Sequence, residues 1–310
     1  MKLHKDTDVF EDLIRLTAVK LNISEDFIRR DYYIVLILKR LSESEFCESC
    51  IFKGGTSLSK CYPGSIERFS EDIDLTYVPI SNETNTQIER KLKRIEQLLS
   101  LDSSRFEKIS DERNSRNKSS NLFFKQSRVK LEIGSSIKPD PVDLKYIKSY
   151  IHEYLESKGR NDTLKKYEIN EIQVYSLRIE RTFLDKVFAI KRHAICGTLN
   201  IKVRHIYDVV RLMEREEIKL FLTEKDELKR LVHITKNTDH FYLEKRENSF
   251  SFNPMSNYDF DHWADRFDDN VKRQYESLHE NLLYKDVKQN LNDALHVLNI
   301  VNSILSNINE

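Results

Sequence analysis

The 310-residue chain contains little glycine and proline, with six and five residues respectively. Both residue types favour turns and flexible connections, so their scarcity argues against long linkers and against an all-β fold with many turns. The chain also lacks an excess of either charge, since 51 basic residues balance 51 acidic ones. Any contact with nucleic acid must therefore depend on a local basic patch rather than on net charge.

Long apolar segments are absent as well. No apolar run approaches the roughly 18 residues that a membrane-spanning helix needs. The first six residues, MKLHKD, lack the apolar stretch of a signal peptide. We therefore expect a cytoplasmic protein with no membrane partner.

Cysteine is also scarce, and the four cysteines are Cys47, Cys50, Cys61 and Cys196. The spacing of Cys47 and Cys50 is compatible with a metal or redox site, but no second pair with this spacing completes a common zinc site. Reduced thiols are therefore the favoured interpretation, with metal or redox chemistry as the alternative.

The apolar pattern predicts strands early in the chain and helices late. The predicted strands cover residues 50–53, 71–78, 120–126 and 128–134. The predicted helices cover residues 7–21, 24–42, 56–61, 83–100 and 146–157, followed by a polar stretch over 158–170, a mainly helical region from about 176, and a final apolar stripe from Val287 to Ile308. This distribution predicts an α/β half at residues 1–150 and a mainly helical half at residues 151–310.

A glycine pair opens the most informative segment, KGGTSLSK at residues 53–60. Gly54 and Gly55 let the backbone approach an anion closely, and the following short helix directs N–H groups toward it. The hydroxyls of Thr56 and Ser57 are candidates to join them. The segment therefore indicates a phosphate site, and its lack of a Gly-Lys-Ser/Thr ending disfavours a P-loop.

Two aspartates follow about 16 residues later. Asp72 and Asp74 lie in an apolar strand, where alternation directs both carboxylates to one face. Glu132, in the alternating strand 128–134, is the candidate third carboxylate. Three such groups suit Mg²⁺ or Mn²⁺ and can hold two ions roughly 3.5–4 Å apart. The alternative is a capping loop followed by an acidic strand edge.

Two later clusters are individually weak. The segment LRIERTFLDK at residues 177–186 carries Arg178, Arg181 and Lys186, which could neutralise phosphate charge or form an ordinary charged helix. The segment RHIYDV at residues 204–209 carries Asp208, which could orient Lys186 or contact a nucleotide.

Together, these segments resemble the AbiEii-type nucleotidyltransferases of the polymerase-β-like superfamily, which are toxins of bacterial abortive-infection and toxin–antitoxin systems. The resemblance covers roughly residues 10–215 and rests on four motifs in the same order. These are KGGTSL at 53–58, FSEDIDL at 69–75, ERTFLDK at 180–186 and RHIYD at 204–208. Asp31-Tyr32-Tyr33 resembles an upstream signature of the family, with Arg30 where lysine is usual.

The resemblance implies a fold and residue roles. The fold would be α/β (α+β), a small mixed-sheet nucleotidyltransferase core with N-terminal helices and a C-terminal helical domain that completes the active site. Asp72, Asp74 and Glu132 would bind metal, and Lys186 and Asp208 would complete the catalytic set. Nucleotide would be held by Gly54, Gly55, Thr56, Ser57, Arg68, Ser70, Lys130, Arg181 and Lys186.

The implied reaction moves a nucleoside monophosphate from an NTP to an RNA acceptor and releases pyrophosphate. The 3′ end of a tRNA is the expected acceptor, with translation blocked as a result. A local excess of basic residues supports this expectation, because seven cations face two acidic residues between 108 and 130. Solvated loops remain the alternative interpretation of these cations.

Two alternative functions and one further feature stay open at this stage. The acceptor could be a protein or a small-molecule hydroxyl, or the chain could bind nucleotide or RNA without turnover. The acidic segment 259–269 either begins a helix or docks a basic partner such as an antitoxin.

Overall fold

The computed structural model describes residues 1–244, 258–281, 283 and 289–308. The chain divides into two compact units. Unit 1 comprises residues 1–63 and 69–177, and unit 2 comprises residues 64–68 and 178–310. The boundary that the sequence placed at residue 150 falls inside unit 1.

Along the chain of unit 1, helices precede, separate and follow the strands. The helices are α1 (Thr7–Leu21), α2 (Glu25–Ser42), α3 (Gly54–Cys61), α4 (Asn85–Leu99), α5 (Tyr150–Ser157) and α6 (Asn161–Lys166). A capping box begins α4, because the Thr84 hydroxyl accepts from the Gln87 N–H while the Gln87 side chain accepts from the Thr84 N–H. Two helices, α2 and α4, pack against the fifth strand.

A seven-stranded mixed sheet forms the core of unit 1. Its strands are β1 (Cys50–Lys53), β2 (Asp72–Tyr77), β3 (Arg105–Lys108), β4 (Asn117–Phe124), β5 (Ser127–Gly134), β6 (Val142–Ile147) and β7 (Ile172–Leu177). They lie in the order β3-β4-β5-β2-β1-β7-β6. The pairs β2–β5 and β1–β7 are parallel, and the other neighbours are antiparallel.

Side-chain alternation gives the centre of the sheet two different faces. Ile73 in β2 and Leu131 in β5 are fully buried, whereas the flanking residues Asp72, Asp74 and Glu132 are only partly buried. Because successive strand residues point to opposite faces, the carboxylates share the face that the apolar core does not use.

Unit 2 is helical over its described residues outside short connections. Its helices are α7 (Ile179–Ile195), α8 (Val203–Met213), α9 (Glu216–Thr223), α10 (Lys225–Glu244), α11 (Asp269–Asn281) and α12 (Leu291–Ser306). The acidic segment 259–269 contains turns and the short 3-10 helix Ala264–Arg266 and leads into α11, where the Asp268 carboxylate accepts from the Val271 N–H at 2.9 Å. Trp263, in the same segment, is fully buried.

The predicted fold class is confirmed, but three strands escaped the sequence pattern. β3 is short and mostly exposed, and β6 is an edge strand. β6 occupies the start of the helix predicted from residue 146, so α5 begins at Tyr150 instead. The third, β7, lies mostly between the polar stretch predicted over 158–170 and the helical region predicted from about 176, and α6 interrupts that polar stretch. Val287, at the start of the predicted final stripe, lies outside the described residues.

Within the described ranges, no helix combines the length and apolar content needed to cross a membrane. The cysteines are free thiols. Burial raises the pKa of Cys50 to about 12 and that of Cys61 to about 11, so both thiols are protonated at neutral pH.

Candidate active site

Four charged side chains meet on one face of the β2–β5 pair. In the parallel register, Asp72 lies beside Lys130 and Asp74 lies beside Glu132. On the other side of β2, Lys53 lies directly opposite Asp74 in the antiparallel pair with β1. Paired residues point to the same face of a sheet. The pairing therefore gathers three carboxylates and two lysines that are distant in the sequence.

Gly54 brings the backbone against one of these carboxylates. It has a positive φ of 82°, which favours glycine, and it starts α3 immediately after β1. A Cβ at this position would lie 2.2 Å from Asp74 Oδ2. Only glycine therefore lets the start of α3 approach the Asp74 carboxylate this closely.

The hydroxyls after the glycine pair bind protein groups in the structure. Thr56 Oγ1 donates to the main-chain oxygen of Asp72 at 2.5 Å and lies 2.9 Å from Ser70 Oγ. Ser57 Oγ lies 2.7 Å from Ser176 Oγ in β7. Both side chains are buried. Their geometry fixes α3 to the sheet, and the predicted contact of these two hydroxyls with a nucleotide stays a prediction.

Lys130 holds the third carboxylate. Its ammonium lies 2.5 Å from Glu132 Oε1 and 2.7 Å from Glu112 Oε2. Burial lowers the pKa of Lys130, but the hydrogen bonds to Glu112 and Glu132 outweigh it and raise the pKa above its ordinary value. Glu132 is therefore paired with a cation rather than directed at the two aspartates.

The donor set nevertheless fits a hard divalent cation. Among the described residues, no group of three His, Cys, Asp or Glu side chains is arranged to hold a metal ion. Mg²⁺, however, is commonly bound by one or two carboxylates together with substrate phosphates. Asp72 and Asp74 provide two partly buried carboxylates on one face, and Glu132 lies in register beside them.

Unit 2 contains a separate buried charge cluster around Asp208. Both Asp208 oxygens accept from the Arg68 guanidinium, at 2.6 Å each, and Oδ2 also lies 2.7 Å from Lys186 Nζ. The Asp208 side chain is fully buried. Burial alone would raise the pKa of Asp208, but the Arg68 and Lys186 cations hold it well below its ordinary range.

His205 lies beside this cluster, with Nδ1 3.5 Å from Lys186 Nζ. Burial and the neighbouring Lys186 cation lower the pKa of His205 well below its ordinary value. The imidazole is therefore neutral at pH 7, and Asp208 remains the anion between the two cations.

Other predicted nucleotide contacts also have protein partners. Arg181 is buried in α7, where it donates to Asp185 at 2.9 Å and to Thr238 at 3.0 Å. Arg68 is held by Asp208 in unit 2, and Ser70 lies beside Thr56 in unit 1. The predicted roles of Arg181, Arg68 and Ser70 stay predictions.

Part of the basic excess at residues 108–130 is neutralised within unit 1. Arg113 donates to Glu96, Lys118 pairs with Glu89, and Lys130 pairs with two glutamates. Lys108 and Arg128 are exposed on β3 and β5. The local charge that could meet a polyanion is therefore smaller than the sequence count indicates.

Sequence reasoning gave no role to Lys53 or Ser176. Lys53 belongs to the glycine motif, but its position opposite Asp74 depends on the β1–β2 register. Ser176 lies 119 residues beyond its partner Ser57. No local pattern identifies such a pair, because the contact arises only when β7 joins the sheet beside β1.

Comparison with known proteins independently supports the family resemblance that the sequence motifs indicated. The family model described as nucleotidyl transferase AbiEii toxin, type IV toxin–antitoxin system, matches residues 36–290. A comparison with curated proteins gives no significant match.

Two solved structures resemble the chain at low sequence identity. The nucleotidyltransferase toxin MenT4 of Mycobacterium tuberculosis matches with a TM-score of 0.53 and 17% identity, over 96% of this chain and 99% of MenT4. JHP933 of Helicobacter pylori matches with a TM-score of 0.40 and 16% identity, over 89% of this chain and 99% of JHP933. At this identity the MenT4 match shows a shared fold, and the JHP933 match is too distant to add to it. The AbiEii family model covers most of the length of this chain, and the chain therefore belongs to the AbiEii nucleotidyltransferase toxin family.

Proposed function

We propose that this nucleotidyltransferase moves a nucleoside monophosphate from an NTP to an RNA hydroxyl and releases pyrophosphate. The proposed acceptor is the 3′ end of a tRNA, and the consequence is a block of translation. The observation that carries the proposal is the register of β2 with β5, which gathers Asp72, Asp74 and Glu132 beside the glycine that starts α3.

The proposed chemistry assigns separate tasks to the carboxylates and to α3. Asp72 and Asp74 would hold Mg²⁺ or Mn²⁺, with Glu132 as a further ligand once it leaves Lys130. A bound divalent ion supplies neutralisation of triphosphate charge and lowers the pKa of the attacking hydroxyl. The N–H groups at the start of α3 would orient the triphosphate, since a helix N-terminus favours anions.

Two features support the acceptor and a partner. Exposed cations at Lys108 and Arg128 could contact a phosphate backbone, and such binding weakens as salt increases. Membership of a toxin–antitoxin family supports a cognate antitoxin as a partner. The contacts of Lys186 and Asp208 with the nucleotide remain predictions from the sequence.

An incorporation assay tests the proposal. Each of the four labelled NTPs is incubated with Mg²⁺ and total tRNA, and in parallel with the protein alone. We expect label in tRNA with the unmodified protein and none above background with Asp72→Asn. Asp111→Asn, at an exposed carboxylate outside the site, serves as the matched control and should retain full incorporation.

Two results would contradict the proposal. Label that enters protein but never tRNA would overturn the acceptor. An Asp72→Asn variant that incorporates label as efficiently as the unmodified chain would overturn the catalytic assignment.

A further inference from the structure

A buried ion pair outside the carboxylate face connects three helices of unit 1. Lys60, in the last turn of α3, donates to Asp31 Oδ1 in α2 at 2.6 Å. The second Asp31 oxygen accepts from the Tyr150 N–H at 2.7 Å, at the start of α5. The side chains of Lys60 and Asp31 are 6% and 7% exposed. The pair therefore lies inside the unit and does not face solvent.

The immediate surroundings complete this pair. Lys60 Nζ lies 4.2 Å from the centroid of the Tyr150 ring, a favourable position for a cation. Glu153, one turn further along α5, also interacts electrostatically with both Lys60 and Asp31. The Asp31 carboxylate lies at the N-terminus of α5 and Lys60 lies at the C-terminus of α3, so each charge complements the dipole of that helix.

Stability alone does not account for such an arrangement. Removing two charges from water is costly, and apolar residues of similar volume commonly stabilise a fold as well or better. A charged pair with fixed hydrogen bonds, in contrast, permits only a narrow range of positions for the elements that it joins. The main effect of the Lys60–Asp31 pair is therefore to fix the position of α3.

Position matters for α3 because the helix is short and crowded at its start. Eight residues extend over about 12 Å and do not form a stable helix alone, so tertiary contacts determine the orientation of α3. At the first residue of α3, Gly54, the Asp74 carboxylate leaves no room for even a Cβ atom. A small tilt at the Lys60 end would therefore displace the N–H groups at the Gly54 end.

We propose that Asp31 and Lys60 are positioning residues for nucleotide binding. They fix the tilt of α3 and so place the N–H groups at Gly54 and Gly55 relative to Asp74, at the distance that a triphosphate requires. Neither side chain contacts the nucleotide. The inference rests on the proposed function, since it assigns the triphosphate to the start of α3.

The test compares the Asp31–Lys60 pair with a second ion pair, Glu96–Arg113, whose side chains are 4% and 14% exposed. In the first variant, Asp31→Leu is combined with Lys60→Met, which removes both charges and leaves no unpaired ion. The matched control combines Glu96→Leu with Arg113→Met, a pair that joins α4 to the segment before β4 and does not touch α3. A third variant, Lys60→Arg, keeps the charge but changes its geometry.

Three measurements are made on each variant: thermal unfolding, KM and kcat for the NTP, and hydrogen exchange of the α3 amides. We expect the Asp31–Lys60 double variant and Lys60→Arg to raise KM by about tenfold, with kcat within about threefold of the unmodified protein. Exchange at Leu58 and Cys61, whose N–H groups lie beyond the first turn of α3, should accelerate in both. The Glu96–Arg113 double variant should leave KM and α3 exchange unchanged.

A folded Asp31–Lys60 double variant with unmodified KM and α3 exchange would overturn the inference. If that variant does not fold, unmodified values in Lys60→Arg overturn it instead. Titration with a fluorescent, non-hydrolysable NTP separates this failure from that of the proposed function. If the unmodified protein binds this analogue but transfers no label in the incorporation assay, the proposed function is contradicted. The dissociation constants of the variants for the analogue then decide the positioning role.

Discussion

Gly54 lies so close to the Asp74 carboxylate that a Cβ on Gly54 would be 2.2 Å from Asp74 Oδ2. The contact joins the first residue of α3 to the second aspartate of β2. The glycine motif and the Asp72–Asp74 motif therefore meet at one point of unit 1.

Gly54→Ala should abolish nucleotide incorporation while the protein still folds. The added methyl group must displace the Asp74 carboxylate, and the positive φ adds strain of roughly 1–2 kcal/mol. Gly159→Ala is the matched control, because Gly159 also has a positive φ but has no atom within 4 Å of an added Cβ. Thermal unfolding should detect the strain of the positive φ in both variants and a larger loss in Gly54→Ala, and equal activity in both would contradict the role of the Gly54–Asp74 contact.

Asp74→Asn should reduce incorporation by about 10³-fold or more, since charge stabilisation by a metal contributes several kcal/mol to the transition state. Its binding of Mn²⁺, followed by electron paramagnetic resonance, should weaken in parallel. Asp143→Asn on β6 is the control, because this carboxylate lies on an edge strand and pairs with Lys145. Unchanged Mn²⁺ binding by Asp74→Asn would show that Asp74 is not a ligand.

Thr56→Val should destabilise the protein by about 1–3 kcal/mol and lower incorporation. The substitution removes the 2.5 Å hydrogen bond, partly buried, that the Thr56 hydroxyl donates to the main-chain oxygen of Asp72. Ser59→Ala, which removes a hydroxyl bonded only within α3, is the comparison and should be nearly neutral. Both variants are compared by denaturant unfolding and by incorporation. If Thr56→Val matches Ser59→Ala in both measurements, the Thr56–Asp72 hydrogen bond does not have the predicted role.

The neutral His205 predicts a pH dependence of stability in unit 2. Its pKa is lowered in the folded state, first by burial and then by Lys186, so the unfolded chain binds the proton more readily. The contribution is fully present above the unfolded pKa of about 6.5, and stability falls below it by about 1.4 kcal/mol per pH unit. His205→Gln should reduce the slope between pH 6.5 and 5, as measured by denaturant unfolding at a series of pH values, and the remainder reflects His4 and His152, whose pKa values burial also lowers.

The exposed His233 on α10 provides the control for that experiment. His233→Gln should retain the slope of the unmodified protein. An identical slope in the His205 and His233 variants would mean that protonation of another group causes the acid sensitivity.

The sequence predicted the local elements of the site well because their signals are local. The glycine pair, the alternation around Asp72 and Asp74, and the apolar stripe of α4 each extend over fewer than 20 residues. The strands β6 and β7 were missed although VDLKY at 142–146 and IQV at 172–174 alternate in polarity, because each strand has only six residues and lies next to a predicted helical segment. The helix predicted from residue 146 took in only the last two residues of β6, whose Leu144 and Tyr146 side chains are exposed, as an edge strand allows.

The sequence by itself determined the residue types and local elements of the candidate site: a glycine-led helix start, two carboxylates on one strand face and a third on another strand. The tertiary structure decided the partners. Parallel pairing of β2 with β5 places Glu132 beside Asp74, Lys130 holds Glu132, and the Thr56 hydroxyl is bonded to the strand that carries the aspartates. The physical reason is that strand register and buried ion pairs such as Asp31–Lys60 join residues distant in the chain, and no local pattern encodes them.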